Sequence, residues 1–97
     1  MESNAHLVVL KAGEFHHRKS FGPNTISRGA VLLECEWTGG IFESGVFLGG
    51  RFCGGQFLGG TFWGGVFWDG AWIGGTWESG FDRNGLYHPR SNHPPYL

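Results

Sequence analysis

The chain has 97 residues, a formal net charge of −1 and only 15% charged residues. This length favours one small domain, 1–97, and the near-neutral charge argues against a protein that binds nucleic acid directly through bulk positive charge. The sequence has no run of 18 consecutive apolar residues and no signal peptide at its N-terminus. We therefore expect no contact with a membrane and, by default, a cytoplasmic location.

The N-terminal segment, 1–30, is predicted to form a cap of one strand and one loop. Residues 7–15 (LVVLKAGEF) have the apolar run of a strand. Residues 16–29 (HHRKSFGPNTISRG) contain glycine, proline and most of the basic charge, which favours a long loop.

Residues 31–85 contain a five-residue repeat. In nine consecutive units, from EWTGG to TWESG, the second residue is aromatic and the fifth is glycine. Six of these units also have glycine in fourth place. The unbroken phase argues against a disordered, low-complexity segment, which is the alternative interpretation of a Gly- and aromatic-rich composition. The nine ring residues are Trp37, Phe42, Phe47, Phe52, Phe57, Phe62, Phe67, Trp72 and Trp77.

A period of five fits neither an α-helix nor a flat strand. It fits a coil of short extended sides, and four units are predicted to close one turn of about 20 residues, stacked about 4.8 Å from the next. Each ring is expected to point inward. The fifth-place glycine, two residues before the ring, is expected to point inward as well and to leave it room. The fourth-place glycine is predicted to turn the corner with positive φ.

The triads Gly40-Ile41-Phe42, Gly50-Arg51-Phe52 and Gly60-Thr61-Phe62 resemble the repeat of the pentapeptide-repeat proteins. The resemblance implies an all-β fold, a short right-handed quadrilateral β-helix over residues 31–85 with irregular N- and C-terminal caps. The chain departs from the family in having glycine for the usual alanine, and tryptophan in the core. The Pro-rich tail, 86–97, is predicted to lie across the C-terminal end without extending the sheet.

The outward residues offer a candidate interface. A turn of four units would place Val46, Leu48, Val66 and Trp68 on one wholly apolar side. Soluble monomers rarely expose such a contiguous patch, so we predict a protein interface there; the alternative is that the terminal segments cover it. The predicted interface residues are Val46, Leu48, Trp63, Val66, Trp68 and Ile73.

Residues that carry chemistry are scarce. No nucleophile motif or phosphate-binding loop occurs, so we predict no enzyme and no cofactor. His16-His17 and the pair His88 and His93 lack metal-ligand spacing and are predicted to be solvated rather than to bind metal. Two cysteines are too few for a disulfide framework and are predicted to be buried or half-buried thiols. They are Cys35 and Cys53.

Two function classes remain open. The first is a non-catalytic module that binds a protein partner, a second copy, or both. Pentapeptide-repeat relatives include topoisomerase-binding proteins that imitate duplex DNA. By analogy with this fold, a short chain with no catalytic constellation suits a phage-type inhibitor of a host nucleic-acid enzyme such as a topoisomerase or a CRISPR effector. Residues 36–80 have a net charge of −3, because they contain four acidic residues and one basic residue: Glu36, Glu43, Asp69, Glu78 and Arg51. This charge is thin for a DNA mimic, so occlusion by apolar contacts is the expected mode.

The second class is a structural unit that assembles with itself. A weaker third option is a small-ligand binder that uses Trp63 and Trp68 as stacking surfaces.

Overall fold

The computed structural model describes residues 7–91, which form ten β-strands in one sheet and no helix in that range. The all-β fold predicted from the sequence is confirmed, and the chain winds as a β-solenoid of about five turns. The strands are β1 (Val8–Lys11), β2 (Phe15–His17), β3 (Ser20–Phe21), β4 (Thr25–Trp37), β5 (Ile41–Phe52), β6 (Gln56–Phe57), β7 (Thr61–Phe67), β8 (Ala71–Trp72), β9 (Thr76–Phe81) and β10 (Tyr87–His88).

Successive turns pair in parallel with a ~15-residue spacing. Val46 lies beside Thr61, and Thr61 lies in turn beside Thr76. Each turn of the repeat therefore contains three units and three sides, and the predicted four-sided turn is wrong. Glycine in fifth place adds no side chain to the interior, so three rings in each layer fill the narrower core.

We call the three sides faces A, B and C. Each is a parallel sheet made of one short segment from every turn. Face A contains 15–17, 31–33, 46–48, 61–63 and 76–78; face B contains 20–21, 36–38, 51–53, 66–68 and 81–82; face C contains 8–11, 25–28, 41–43, 56–58 and 71–73.

The first turn of the coil lies where the sequence predicts a long loop. Most of β2, all of β3 and the start of β4 lie in residues 16–29, and both β2 and β3 pair in parallel with β4. His16 lies beside Leu32, and Leu10 of β1 lies beside Ser27, so this turn is slightly longer than those of the repeat. Because its length is not a multiple of five and no glycine pairs mark its corners, the repeat pattern does not reveal this turn.

The rings point inward and stack in columns, as expected. Phe47 and Phe62 stack with centroids 5.2 Å apart on face A, while Phe42 meets Phe47 edge-on across a corner at 6.0 Å. Such pairs stabilise the fold by about 0.5–1.5 kcal/mol each beyond the burial of their area. Trp72, in the last turn, is only partly buried. The fully buried rings are Trp37, Phe42, Phe47, Phe52, Phe57, Phe62, Phe67 and Trp77.

The fifth-place glycines lie at the corners and leave room for the rings, since a Cβ on Gly75 would lie 3.0 Å from the ring of Phe57. Gly60 has a φ of +95°, and a Cβ on it would lie 2.9 Å from the backbone nitrogen of Gly45 in the turn below. Glycine therefore lets two backbones approach at the corner. The fourth-place glycines have positive φ at Gly49 and Gly64 but not at Gly54, so the predicted assignment of the corner to that place fails for much of the array.

Candidate interaction surface

Face A presents a flat strip of apolar side chains. Outward residues flank each buried ring, as Val46 and Leu48 flank Phe47. The apolar side chains come from four of the five parallel segments, so the strip is about 14 Å long and about 10 Å wide. Its apolar side chains are Phe15, Val31, Leu33, Val46, Leu48 and Trp63.

Trp63 is the most prominent side chain of this strip. It lies beside Leu48 of the preceding turn and is 51% exposed. Two glycines follow Trp63 at the corner between faces A and B, so no side chain separates the two faces there. The apolar surface therefore continues onto Val66 and Phe81, which are neighbours on face B.

Face B is divided into a charged half and an aromatic half. In the earlier turns Arg51 donates to Glu36 at 2.8 Å. In the later turns Trp68 is 46% exposed, and the guanidinium carbon of Arg83 lies 5.8 Å from its ring centroid. The cation covers part of the Trp68 ring, which leaves Trp63 as the more accessible tryptophan.

The six residues predicted as an interface are all at least partly exposed, but the three-unit turn distributes them over three faces. Face A carries three of them, face B two and face C one. The predicted grouping of Leu48 with Trp68 fails because it assumed a four-unit turn; Leu48 lies beside Trp63 instead. In face order, the residues are Val46, Leu48 and Trp63, then Val66 and Trp68, then Ile73.

Sequence reasoning misses the first two turns of the strip. Phe15, 60% exposed, lies beside Val31 on face A, and it falls outside the five-residue repeat. Leu33 belongs to VLLEC (31–35), the unit before the nine regular ones, which has Leu32 in the ring position and no glycine in fifth place. The described terminal residues do not cover face A, since Trp63 and Phe15 both remain more than half exposed.

Four glutamates on the coil are paired with arginine. The guanidinium of Arg18, at 3.0 Å, holds the pKa of Glu34 below its ordinary value. These pairs are largely exposed, so each contributes little to stability. They nevertheless neutralise the charge that a mimic of duplex DNA would have to display. The pairs in residues 7–91 include Arg18–Glu34, Arg28–Glu43, Arg51–Glu36 and Arg90–Glu78.

A shallow cleft of about 240 Å³ lies at the corner between faces A and B in the first three turns. Arg18 and Arg51 line it together with Glu34 and Glu36, and each arginine already donates to one of these carboxylates. The two carboxylates neutralise these guanidinium groups and would repel an anion that enters the cleft. The cleft is therefore a weaker candidate site than face A.

Three histidines predicted to be solvated lie against an acidic side chain, the third being His17, whose Nε2 lies 3.5 Å from Glu34 Oε1. The prediction is wrong for the two that are partly buried, His16 and His88. The Nε2 of His16 lies 3.0 Å from Glu14 Oε1, and the Nε2 of His88 lies 2.8 Å from Asp82 Oδ2. Within residues 7–91 no group of three His, Cys, Asp or Glu side chains is placed to hold a metal ion. The prediction for His93 lies outside the described residues.

Both cysteines are free thiols, as the sequence predicts. Cys35 is buried, and its Sγ lies 3.5 Å from the carbonyl oxygen of His16. Burial raises the pKa of the half-buried Cys53 thiol, which keeps it protonated and poorly nucleophilic at neutral pH.

No protein-family model, curated protein or solved structure matches this chain. In the part of the chain that the structure describes, no helix is long and apolar enough to cross a membrane. Face A, with its exposed apolar side chains, is the strongest candidate for a functional surface in residues 7–91.

Proposed function

We propose that this protein is a non-catalytic binding module that holds another protein through face A. The observation that carries the proposal is the flat apolar strip of face A, with Trp63 half exposed upon it. Tryptophan is enriched among the residues that dominate binding energies. Contiguous apolar patches on soluble proteins are typical of interaction sites.

The size of the strip favours a segment of a different protein over a second copy. The apolar strip of face A offers about 140 Å² in projection, so it can supply only the centre of an interface that buries about 800 Å² on each partner. A second copy placed face to face would cover only this flat strip. The strip is about as wide as one α-helix, and its length matches about 10 helical residues. We therefore assign to it an apolar helix of the partner, a common mode of recognition.

The kind of protein that binds to face A is a separate part of the proposal. The expectation of a nucleic-acid enzyme comes from the resemblance to pentapeptide-repeat proteins, whose unit this chain shares but whose four-unit turn it does not. Within the proposal, an inhibitor would act by covering an apolar site on its target. The paired glutamates of the coil make imitation of DNA the less favoured mode.

Capture of the partner tests the proposal with two matched variants. Trp63→Glu places a charge on face A, and Ile73→Glu places the same charge on face C, where Ile73 is 62% exposed. We expect the wild type and Ile73→Glu to retain one common protein from a host extract and Trp63→Glu to lose it. Hydroxyl-radical footprinting of the complex should protect Trp63 and Leu48 but not Ile73.

Two results would contradict the proposal. One is retention of the same partner by Trp63→Glu with an unchanged footprint. The other is a pure homodimer that Trp63→Glu dissociates, which would assign the strip to self-association.

A further inference from the structure

The coil ends in a hairpin that folds back over its own last turn. The amide of Asp82 donates to the carbonyl of Leu86 at 3.0 Å, and the amide of Gly85 donates to the carbonyl of Asp82 at 3.0 Å. Strand β10 then pairs antiparallel with β9, and Ser91 forms a bridge to Trp77. The chain therefore covers the outer edge of β9 with an antiparallel segment instead of continuing as a sixth parallel turn.

Asp82 holds this hairpin closed from a ring position of the repeat. It stands one turn after Phe67 in the repeat phase, and it is 8% exposed. One carboxylate oxygen accepts the amides of Asn84 and Leu86 at 2.8 and 3.0 Å, and the other lies 2.8 Å from His88 Nε2. An aromatic ring at this position could make none of these contacts.

A second contact ties the hairpin to the core. The indole Nε1–H of Trp77 donates to the carbonyl oxygen of His88 at 3.1 Å. Trp77 is fully buried in the last ring layer, so this bond holds β10 against the end of the hydrophobic core. Opening the hairpin would leave the outer edge of β9 without its antiparallel partner.

The two ends of the coil differ in their cover. At the N-terminal end β1, β2 and β3 pair only with β4 among the described residues, so each presents an unpaired outer edge. At the C-terminal end the hairpin covers faces A and B, while β8 on face C pairs only with β6 in the same range. Open strand edges are templates for addition of another chain.

These two ends are complementary in shape and in backbone polarity. Every turn of a parallel solenoid presents, on its outer edge, the donors and acceptors that the next turn requires. The first layer of the core contains Leu10, His16 and Phe21, one on each face. The last layer, which contains Trp72 and Trp77, has the same three-sided arrangement. The first turn of one copy therefore fits on the last turn of another in the place of a sixth turn.

We propose that the C-terminal end of the coil is a docking surface for the N-terminal end of a second copy, and that the hairpin 82–91 blocks it. The contact is autoinhibitory: the hairpin occupies the edge of two faces, and a head-to-tail interface without it would repeat as a filament. The inference is independent of the partner proposed for face A, because it uses the ends of the coil and leaves that strip free.

Asp82→Phe tests the inference, because it restores a ring and removes every carboxylate contact of the hairpin. We expect loss of the monomer in sedimentation velocity, with linear multimers whose mass grows with concentration while the β spectrum in far-ultraviolet circular dichroism is retained. Asn84→Ala, an exposed change in the same loop, is the control and should stay monomeric like the wild type. Trp63→Glu should not alter the multimers, so failure here is distinguishable from failure of the face A proposal.

A second substitution identifies the other end. The amide of Val8 donates to Asn24, so alternation directs the amide of Val9 outward, away from β4. Val9→Pro therefore removes an outer-edge donor without breaking a bond to β4. Combined with Asp82→Phe, it should return the protein to the monomer.

Three results would overturn the inference. They are a folded Asp82→Phe protein that stays monomeric, multimers that persist with Val9→Pro, and a wild-type protein that already stacks end to end. If Asp82→Phe does not fold, His88→Ala, which removes only one contact of the carboxylate, decides the matter by the same three criteria.

Discussion

The rings of Phe47 and Phe62 stack with their centroids 5.2 Å apart and their planes 14° from parallel, although they belong to successive turns of the coil. The same register places Val46 directly beside Thr61. A turn of four units would place Val46 beside Val66 instead. The number of units in one turn therefore decides which outward side chains share a face.

Disulfide cross-linking tests this register. In a Cys53→Ser background, Val46→Cys with Thr61→Cys should oxidise to an intramolecular disulfide, because neighbouring strands lie within the distance that a disulfide spans. Val46→Cys with Val66→Cys should remain reduced, because these residues lie on different faces. Mass spectrometry after mild oxidation distinguishes the two. Closure of the second pair in preference to the first would contradict the three-sided coil.

Much of the fold follows from the sequence, and the limits have physical causes. A ring and a glycine every five residues predict short sides, corners and inward rings, but the period is the same for three or four units per turn. The first turn is hidden because its core residues Leu10, His16 and Phe21 do not follow the five-residue phase. The Asp-x-Asn-Gly stretch beginning at Asp82 is a turn signal that the repeat frame conceals, since its glycine falls in phase.

The corner glycines should resist substitution for a reason beyond φ. Gly60 and Gly13 have φ of +95° and +93°, but only at Gly60 would an added Cβ have a backbone neighbour within 4 Å. Gly13→Ala should cost about 1–2 kcal/mol through its left-handed backbone alone. Gly60→Ala should cost clearly more, because its Cβ meets the turn below. Urea unfolding measures both, and equal costs would mean that the turns do not touch at the corner.

The two fully buried tryptophans should respond differently to replacement by phenylalanine. The indole Nε1 of Trp37 is buried without a hydrogen-bond partner among the described residues, whereas that of Trp77 donates to His88. A buried unpaired donor costs about 1–3 kcal/mol, which Trp37→Phe recovers. Trp77→Phe loses a bond and loosens the hairpin, so it should destabilise the protein more in urea unfolding. A larger loss for Trp37→Phe would contradict this assignment.

Acid should weaken the C-terminal hairpin. The hydrogen bond from His88 and the amides of Asn84 and Leu86 lower the pKa of Asp82 from its ordinary value of 3.8. Because the pKa of Asp82 is lower in the folded protein than in the unfolded chain, its ionised carboxylate stabilises the fold above pH 3.8. This contribution is lost as the pH falls through the pKa that Asp82 has in the folded protein.

Asp82→Asn measures that contribution, since its amide oxygen can still accept the two loop amides. The wild type should exceed Asp82→Asn in free energy of unfolding at neutral pH, and the difference should shrink at about pH 3. The other carboxylates are common to both proteins and cancel in the comparison. A difference that does not change with pH would show that the charge of Asp82 has no part in closing the hairpin.

The salt dependence of the captured complex tests most directly whether apolar contacts on face A hold the partner. An apolar interface releases few counterions, so its affinity should stay nearly constant or rise slightly with added salt, while a DNA mimic should weaken steeply. Titration of the wild type, of Trp63→Glu and of a variant with Glu36, Glu43, Asp69 and Glu78 all neutralised, at low and high salt, separates the two. The account predicts a salt-tolerant complex that Trp63→Glu abolishes and the four neutralisations barely affect. A salt-sensitive complex that survives Trp63→Glu and is lost on neutralisation would contradict it.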